Sequence, residues 1–194
     1  MRFCGVHILV SELIEVRFHG RGGQGAWTAS LFLAQAGLTE KKYIQSFPAF
    51  GPERAGAPIT AFTRISDEPI HIHSSIYEPD VVVVLDPTLL GSSVLSGVKD
   101  DTKILINTDR SLKDIRESYG MGDIEIWTLD ATNLALKVLG RPITNTAMLG
   151  ALVKATGIVK IESLLKAIGT RFSGRVLDSN LDVIKKAYEE VVKG

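Results

Sequence analysis

Residues 20–25 read Gly20-Arg21-Gly22-Gly23-Gln24-Gly25, between the apolar-rich run 13–18 and a helix-compatible stretch, 26–37. Strand, glycine turn and helix in that order limit the possible folds more than any other part of the chain. The arrangement aims backbone N–H groups and a helix N-terminus at one anionic ligand. Glycine suits the turn because a side chain would block close approach and because positive φ is open to it. Gly20, Arg21, Gly22, Gly23, Gln24 and Gly25 are therefore the candidate cofactor-binding residues. The pattern G-x-G-x-x-G also describes a tight turn that only packs a helix onto a strand, and both readings stay open on these residues alone.

The rest of the chain alternates apolar, β-branched runs with helical patterns. The first strand is expected at 14–18 and the first helix at 26–36. A short strand is expected at 42–46. Residues 47–56 read as a loop, with two prolines and two glycines in ten residues. Residues 58–65 alternate, and after the turn Ser66-Asp67-Glu68-Pro69 the run 70–73 alternates again. These two runs predict a β-hairpin inserted in the α/β pattern. Asp80-Val81-Val82-Val83-Val84-Leu85 is continuously apolar after its first residue, as in a strand buried on both faces of a parallel sheet. Strands at 103–107 and 124–129 follow, with helices at 88–95 and 111–119. From Ala131 onward the periodicity is helical: 131–139, 144–155, 160–168 and 180–192. The expected fold class is α/β, a Rossmann-like, mostly parallel sheet flanked by helices, with a β-hairpin insertion and a helical C-terminal third. Residues 13–194 read as one domain and residues 1–12 as an N-terminal extension.

Composition narrows function. The chain has 194 residues, 45% of them hydrophobic, which suits one domain with a full core. Twenty-two basic residues balance 22 acidic ones, so bulk charge gives no support to nucleic-acid binding. The apolar runs are too short to span a bilayer, and 1–12 lack the features of a signal peptide, so a cytoplasmic protein is expected. The single cysteine, Cys4, cannot form an intramolecular disulfide. It also falls short of the roughly four cysteines an iron–sulfur cluster takes. Any metal centre for one-electron chemistry would sit on another chain.

A nicotinamide site should carry an acidic residue about twenty positions beyond the glycines. Counting from Gly25 lands on Gln45 and Ser46, with no carboxylate. A P-loop is excluded because no Lys-Ser or Lys-Thr follows the turn. His71 and His73 share one strand face and offer two metal ligands without a third. His19 stands just before the glycine turn, where it could line the same crevice. Asp86 ends a buried strand before Pro87. It is placed to face a binding crevice or to cap the next helix, and the cap is favoured.

Three segments together, Gly20 to Gly25, Pro48 to Ala57 (Pro-Ala-Phe-Gly-Pro-Glu-Arg-Ala-Gly-Ala) and Pro79 to Leu90, resemble the gamma subunits of the 2-oxoacid:ferredoxin oxidoreductases. Asn145 to Ala151 is also similar to that family, most closely its pyruvate and 2-oxoisovalerate branch. The resemblance implies an enzyme that converts a 2-oxoacid and coenzyme A to an acyl-coenzyme A and carbon dioxide, with electrons passing to ferredoxin. It implies that thiamine diphosphate, magnesium and the iron–sulfur clusters are held by partner alpha, beta and delta subunits. This chain would then hold no cofactor alone, complete the assembly and help shape the coenzyme A entrance. Phe47, Pro48, Phe50, Gly51, Pro52, Glu53, Arg54 and Asn145 become candidate interface residues, since aromatic and arginine anchors with stiffening prolines suit docking. The anion faced by the glycine turn would be part of a cofactor or a carboxylate on a neighbouring subunit. The rivals are a free-standing Rossmann-type oxidoreductase using a nicotinamide or flavin, and a scaffold module without chemistry.

Overall fold

The computed structural model describes residues 13–49 and 56–194. Seven strands form one sheet in the order β2-β3-β1-β4-β5-β6-β7. They are β1 (Ile14–Arg21), β2 (Tyr43–Pro48), β3 (Pro58–Ser66), β4 (Val81–Val84), β5 (Lys103–Asn107), β6 (Glu125–Leu129) and β7 (Val192–Lys193). The centre is parallel, β1 with β4, β4 with β5 and β5 with β6. The margins are antiparallel, β1 with β3, β3 with β2 and β6 with β7. Five of the seven strands (β1, β2, β4, β5 and β6) thus point one way.

The run Val81 to Val84 shows why the centre is so apolar. Val81 and Val83 pack into one core with α1 (Ala26–Thr39), α5 (Asn145–Thr156), α6 (Ile161–Gly169) and α7 (Gly174–Glu190). Val82 and Val84 pack on the opposite face, with Val94 of α2 (Ser92–Leu95) and Ile115 of α3 (Leu112–Tyr119). Alternate side chains leave opposite faces, so a strand covered on both sides needs no polar residue. Helix α4 (Ala131–Leu139) follows β6 and completes the larger layer. Helix α5 lies inside that layer, with every residue from Asn145 to Val153 buried. It approaches α7 so closely that a Cβ on Gly150 would meet the Ile184 carbonyl oxygen at 2.3 Å.

Four local expectations are corrected. The inserted hairpin is β2 with β3, joined through 49–57, and residues 70–73 form no strand. Phe47 and Pro48 belong to β2, opposite Phe62 and Ala61, and not to a loop. Proline is tolerated there because β2 is an edge strand. The helix expected at 88–95 is interrupted at Gly91, leaving a 3-10 turn at Pro87–Leu89 and the four-residue α2. Helix α7 starts at Gly174, before residue 180, and Val192 leaves it to pair with Thr128 on β6.

Candidate functional site

In open α/β sheets, ligands bind outside the carboxyl ends of the strands where the chain order reverses. Here that point lies between β1 and β4, because β2 and β3 fall on one side of β1 and the later strands on the other. Arg21 ends β1, and Asp86 follows β4. The two elements are joined just below by the Leu85 N–H, which donates to the His19 carbonyl at 2.8 Å.

The crevice at this junction is bridged by the chain's own side chains. Arg21 Nε donates to Asp86 Oδ2 at 3.1 Å, and Gln24 Nε2 donates to the same oxygen at 2.8 Å. Gln24 Oε1 accepts from the Arg21 backbone N–H at 2.7 Å, which clamps the turn. Thr88 donates its N–H and hydroxyl to Asp86 Oδ1 at 3.0 and 2.6 Å. Its hydroxyl also accepts from Arg21 Nη2 at 2.8 Å, and Arg21 Nη1 reaches the Gly56 carbonyl at 3.2 Å. Burial alone would raise the Asp86 carboxyl, but hydrogen bonds from Thr88 and Gln24 and the Arg21 charge outweigh it and hold the group below its ordinary value.

The glycines shape this turn. Gly23 and Gly25 have φ of 97° and 80°, in the left-handed region where a side chain is strained. Gly25 stands at the N-cap of α1, where no side chain caps the helix. The Gly22 N–H donates to the Ala57 carbonyl at 2.8 Å, tying the turn to the start of β3. Helix N-terminus, arginine and carboxylate thus form a rigid polar platform. It holds the charge of Asp86 with donors from Arg21, Gln24 and Thr88.

Below the platform, Arg17 and His19 leave the same face of β1. Arg17 is buried and has no carboxylate partner among the described residues; its guanidinium donates to the Tyr77, Val94 and Ser96 carbonyls at 3.3, 2.9 and 2.7 Å. His19 is buried too, and its Nε2, like Arg17 Nε, has no hydrogen-bond partner among the described residues. Burial, then the neighbouring Arg17 charge, pushes the imidazole down to about 4, so it is neutral at physiological pH.

The remaining expected residues disperse. The Phe47 ring lies 5.1 Å from that of Phe62, and the Arg64 guanidinium stands 5.4 Å from the Phe47 centroid. Pro48 closes β2 beside it. Asn145 is buried at the start of α5 and packs on Gly25, whose added Cβ would sit 2.5 Å from Asn145 Nδ2. Phe50, Gly51, Pro52, Glu53 and Arg54 lie outside the described residues. His71 and His73 are exposed, and no group of three metal-ligating side chains occurs among the described residues. No described helix is long and apolar enough to cross a membrane.

Sequence reasoning missed Thr88 and did not join Arg21 to Asp86. It treated cap and crevice as alternatives for Asp86, whereas the residue caps the Pro87–Leu89 turn and faces the crevice at once. The signal available was the polar triplet Asp86-Pro87-Thr88 at a parallel strand's carboxyl end.

Comparison with known proteins adds a second line. The family model described as pyruvate ferredoxin/flavodoxin oxidoreductase matches residues 15–190. The chain is 54% identical to the Pyruvate/ketoisovalerate oxidoreductases common subunit gamma of Pyrococcus furiosus, over 92% of this chain and 97% of that one. It is 48% identical to the Pyruvate synthase subunit PorC of Methanothermobacter thermautotrophicus, over 93% and 97% of the two chains. The crystal structure of pyruvate oxidoreductase subunit PORC from Thermotoga maritima superposes with a TM-score of 0.87 at 43% identity, covering 94% of this chain and 99% of that one.

Proposed function

The chain belongs to the pyruvate ferredoxin/flavodoxin oxidoreductase family, and from that membership we propose that it is the gamma subunit of a pyruvate (2-oxoacid):ferredoxin oxidoreductase. The assembled enzyme decarboxylates a 2-oxoacid, transfers the acyl group to coenzyme A and delivers two electrons to ferredoxin. The observation that carries the reading is a match that runs along nearly the whole of both chains, not a shared motif. Family membership at this level is that of a subunit in a ferredoxin-dependent oxidoreductase.

The finer assignments are those the family resemblance implies. Thiamine diphosphate, magnesium and the iron–sulfur clusters belong to the alpha, beta and delta partners, in keeping with one cysteine in 194 residues here. Residues 13–194 act as one unit, supported by a sheet that runs through the described residues from β2 to β7. The glycine turn, residues 20–25, serves the assembly by presenting a fixed polar edge at the coenzyme A entrance. Phe47, Pro48 and the segment 50–54, with Asn145, form the docking region for the partners. The compartment is the cytoplasm, in keeping with coenzyme A and ferredoxin as reactants.

Reconstitution tests the reading. The purified chain alone should show no turnover and no bound chromophore. Adding the thiamine- and cluster-bearing subunits should yield ferredoxin reduction that depends on both pyruvate and coenzyme A. Arg54→Ala should lower recovery of the partners on co-purification while leaving the isolated chain folded. Turnover of a nicotinamide by the chain alone would refute the proposal.

A further inference from the structure

The sheet is open along β2. Among the described residues β2 pairs only with β3. The Ala49 N–H donates inward to the Thr60 carbonyl at 2.8 Å. Hydrogen-bonded positions alternate along an antiparallel ladder, so Ile44 and Ser46 turn their N–H and C=O groups outward. Neither residue bonds through its backbone to a loop or helix among the described residues. Such an edge is a template for another strand.

The helix above this edge carries an apolar stripe with nothing on it. Ser30 and Gly37 of α1 face the sheet: the Ser30 and Ser46 hydroxyls lie 2.9 Å apart, and a Cβ on Gly37 would meet Ile44 at 3.2 Å. Phe32 faces α6, its ring 5.9 Å from that of Phe172. At the helical period the remaining side, which overhangs β2, is that of Trp27, Leu31 and Leu38. Trp27 is 47% exposed and Leu38 59%. Tyr43, also exposed, starts β2 on the face away from α1.

We propose that this edge pairs with the same edge of a second copy of the chain, β2 against β2 about a two-fold axis at Gln45. The fit is self-complementary in four respects. Ile44 of one copy exchanges both backbone hydrogen bonds with Ser46 of the other, which uses every outward N–H of the two residues. Tyr43 then stands directly opposite Phe47, an aromatic cross-strand pair made twice. The next pair sets Pro48, which has no N–H, against Lys42, whose N–H is already taken by the Gly37 carbonyl at 3.1 Å. The ladder therefore ends there without stranding a donor. Lastly, the two α1 helices run antiparallel, so Trp27 near the start of one lies toward Leu38 near the end of the other. Helix α1 packs across both β2 and β3. With strands about 4.8 Å apart, the two helix axes are roughly 10–12 Å apart, beyond the ~8–10 Å of ordinary helix pairs by the room that tryptophan fills. Twenty-two basic and 22 acidic residues leave no net charge to oppose the association. The subunit assignment fixes no copy number, and this contact does not rest on it. Phe47 stands at its border with the docking region of the other subunits.

Sedimentation equilibrium and cross-linking of the full chain test the contact. At about 100 µM the parent should sediment at twice the 21.1 kDa of one chain. Trp27→Glu should weaken the dimer about tenfold or more, while an acid in the first turn suits the helix start and keeps the fold. Tyr43→Lys should weaken it too, and circular dichroism verifies each variant. Opposed Gln45 Cα atoms would lie about 4.5 Å apart, within disulfide reach. Gln45→Cys, in a Cys4→Ser background with one thiol per chain, should thus give a cross-linked dimer on mild oxidation. Tyr77→Cys, exposed elsewhere on the surface, should not. A monomeric parent, a dimer indifferent to both Trp27→Glu and Tyr43→Lys, or a dimer that Gln45→Cys fails to cross-link overturns the proposal. So does a monomeric parent whose Trp27→Glu variant loses the other subunits on co-purification, because the edge would then belong to a different chain.

Discussion

Arg21 Nε lies 3.1 Å from Asp86 Oδ2, joining residues 65 apart in the sequence across the one place where the sheet's strand order reverses. A turn built to receive an anion receives one from its own chain. The side chains that could orient a nucleotide phosphate there are engaged with Asp86, Thr88 and the Gly56 carbonyl.

Asp86→Asn should therefore loosen the fold before it affects any chemistry. The variant keeps shape but removes the charge that Arg21, Gln24 and Thr88 serve, at a cost of about 1–3 kcal/mol. For a chain of this size the melting temperature should fall roughly 2–4 °C per kcal/mol. Because the folded-state pKa of Asp86 is depressed, its contribution is complete above the unfolded value and disappears as pH falls through the folded one. Thermal melts from pH 6 to pH 3 should show a shallower acid loss in Asp86→Asn than in the parent. Superimposed acid limbs would remove the charge argument.

His19 predicts a pH dependence in a higher window. Its folded-state pKa is about 4 against 6.5 unfolded, so between those values the unfolded chain binds the extra proton. Stability is complete above pH 6.5 and is lost as pH falls toward 4, by about 3 kcal/mol at ~1.4 kcal/mol per unit. His19→Phe keeps the ring volume and deletes the titration. Urea unfolding at pH 7 and pH 4.5 should show a large loss for the parent and a smaller one for the variant. Equal losses would mean that His19 is hydrated in the folded protein.

Two helical glycines should respond in opposite directions. Gly150→Ala drives a methyl into the Ile184 carbonyl. It should destabilise by about 1–3 kcal/mol despite the better helix propensity of alanine. Gly169 ends α6 with nothing within 4 Å of its added Cβ. Gly169→Ala should stabilise by roughly 0.5–1 kcal/mol. Denaturation midpoints of the pair decide the matter; the same sign for both would show that α5 and α7 separate readily.

Arg64 is 1% exposed and donates from Nε to Glu15 Oε1 at 2.6 Å, while Glu15 keeps some contact with solvent. Removing the acid should be worse than removing the base. Glu15→Ala leaves a buried guanidinium with only the neutral acceptors of Gln45 and Ile72 and should cost about 3 kcal/mol or more. Arg64→Met leaves a carboxylate that water can reach and an apolar chain beside Phe47, and should cost less. The ranking of the two variants in urea is the measurement, and the reverse order would contradict this account of the pair.

The central strands and the buried α5 were readable in the sequence because their burial is complete. Val81 to Val84 has no polar residue to confuse the period, and Thr146 to Val153 is apolar or small nearly all round. The hairpin was misplaced because Ile70-His71-Ile72-His73 alternates as a strand does, while the edge it would occupy is taken by Tyr43–Pro48. Alternation reports a chain's local preference and not its partner. The start of α7 was hidden because Arg175, Asp178 and Ser179 dilute the apolar stripe that begins in earnest at Leu181. The glycine turn was found, but its occupant was not: nothing local links Arg21 to Asp86.

Helix α5 is enclosed along most of its length by α1, α7 and the sheet. Its amides can meet solvent deuterium only when the surrounding layers come apart together. In a hydrogen-exchange experiment this helix should lag behind the short α2 and α3, and its exchange rate should track the free energy of opening the whole molecule.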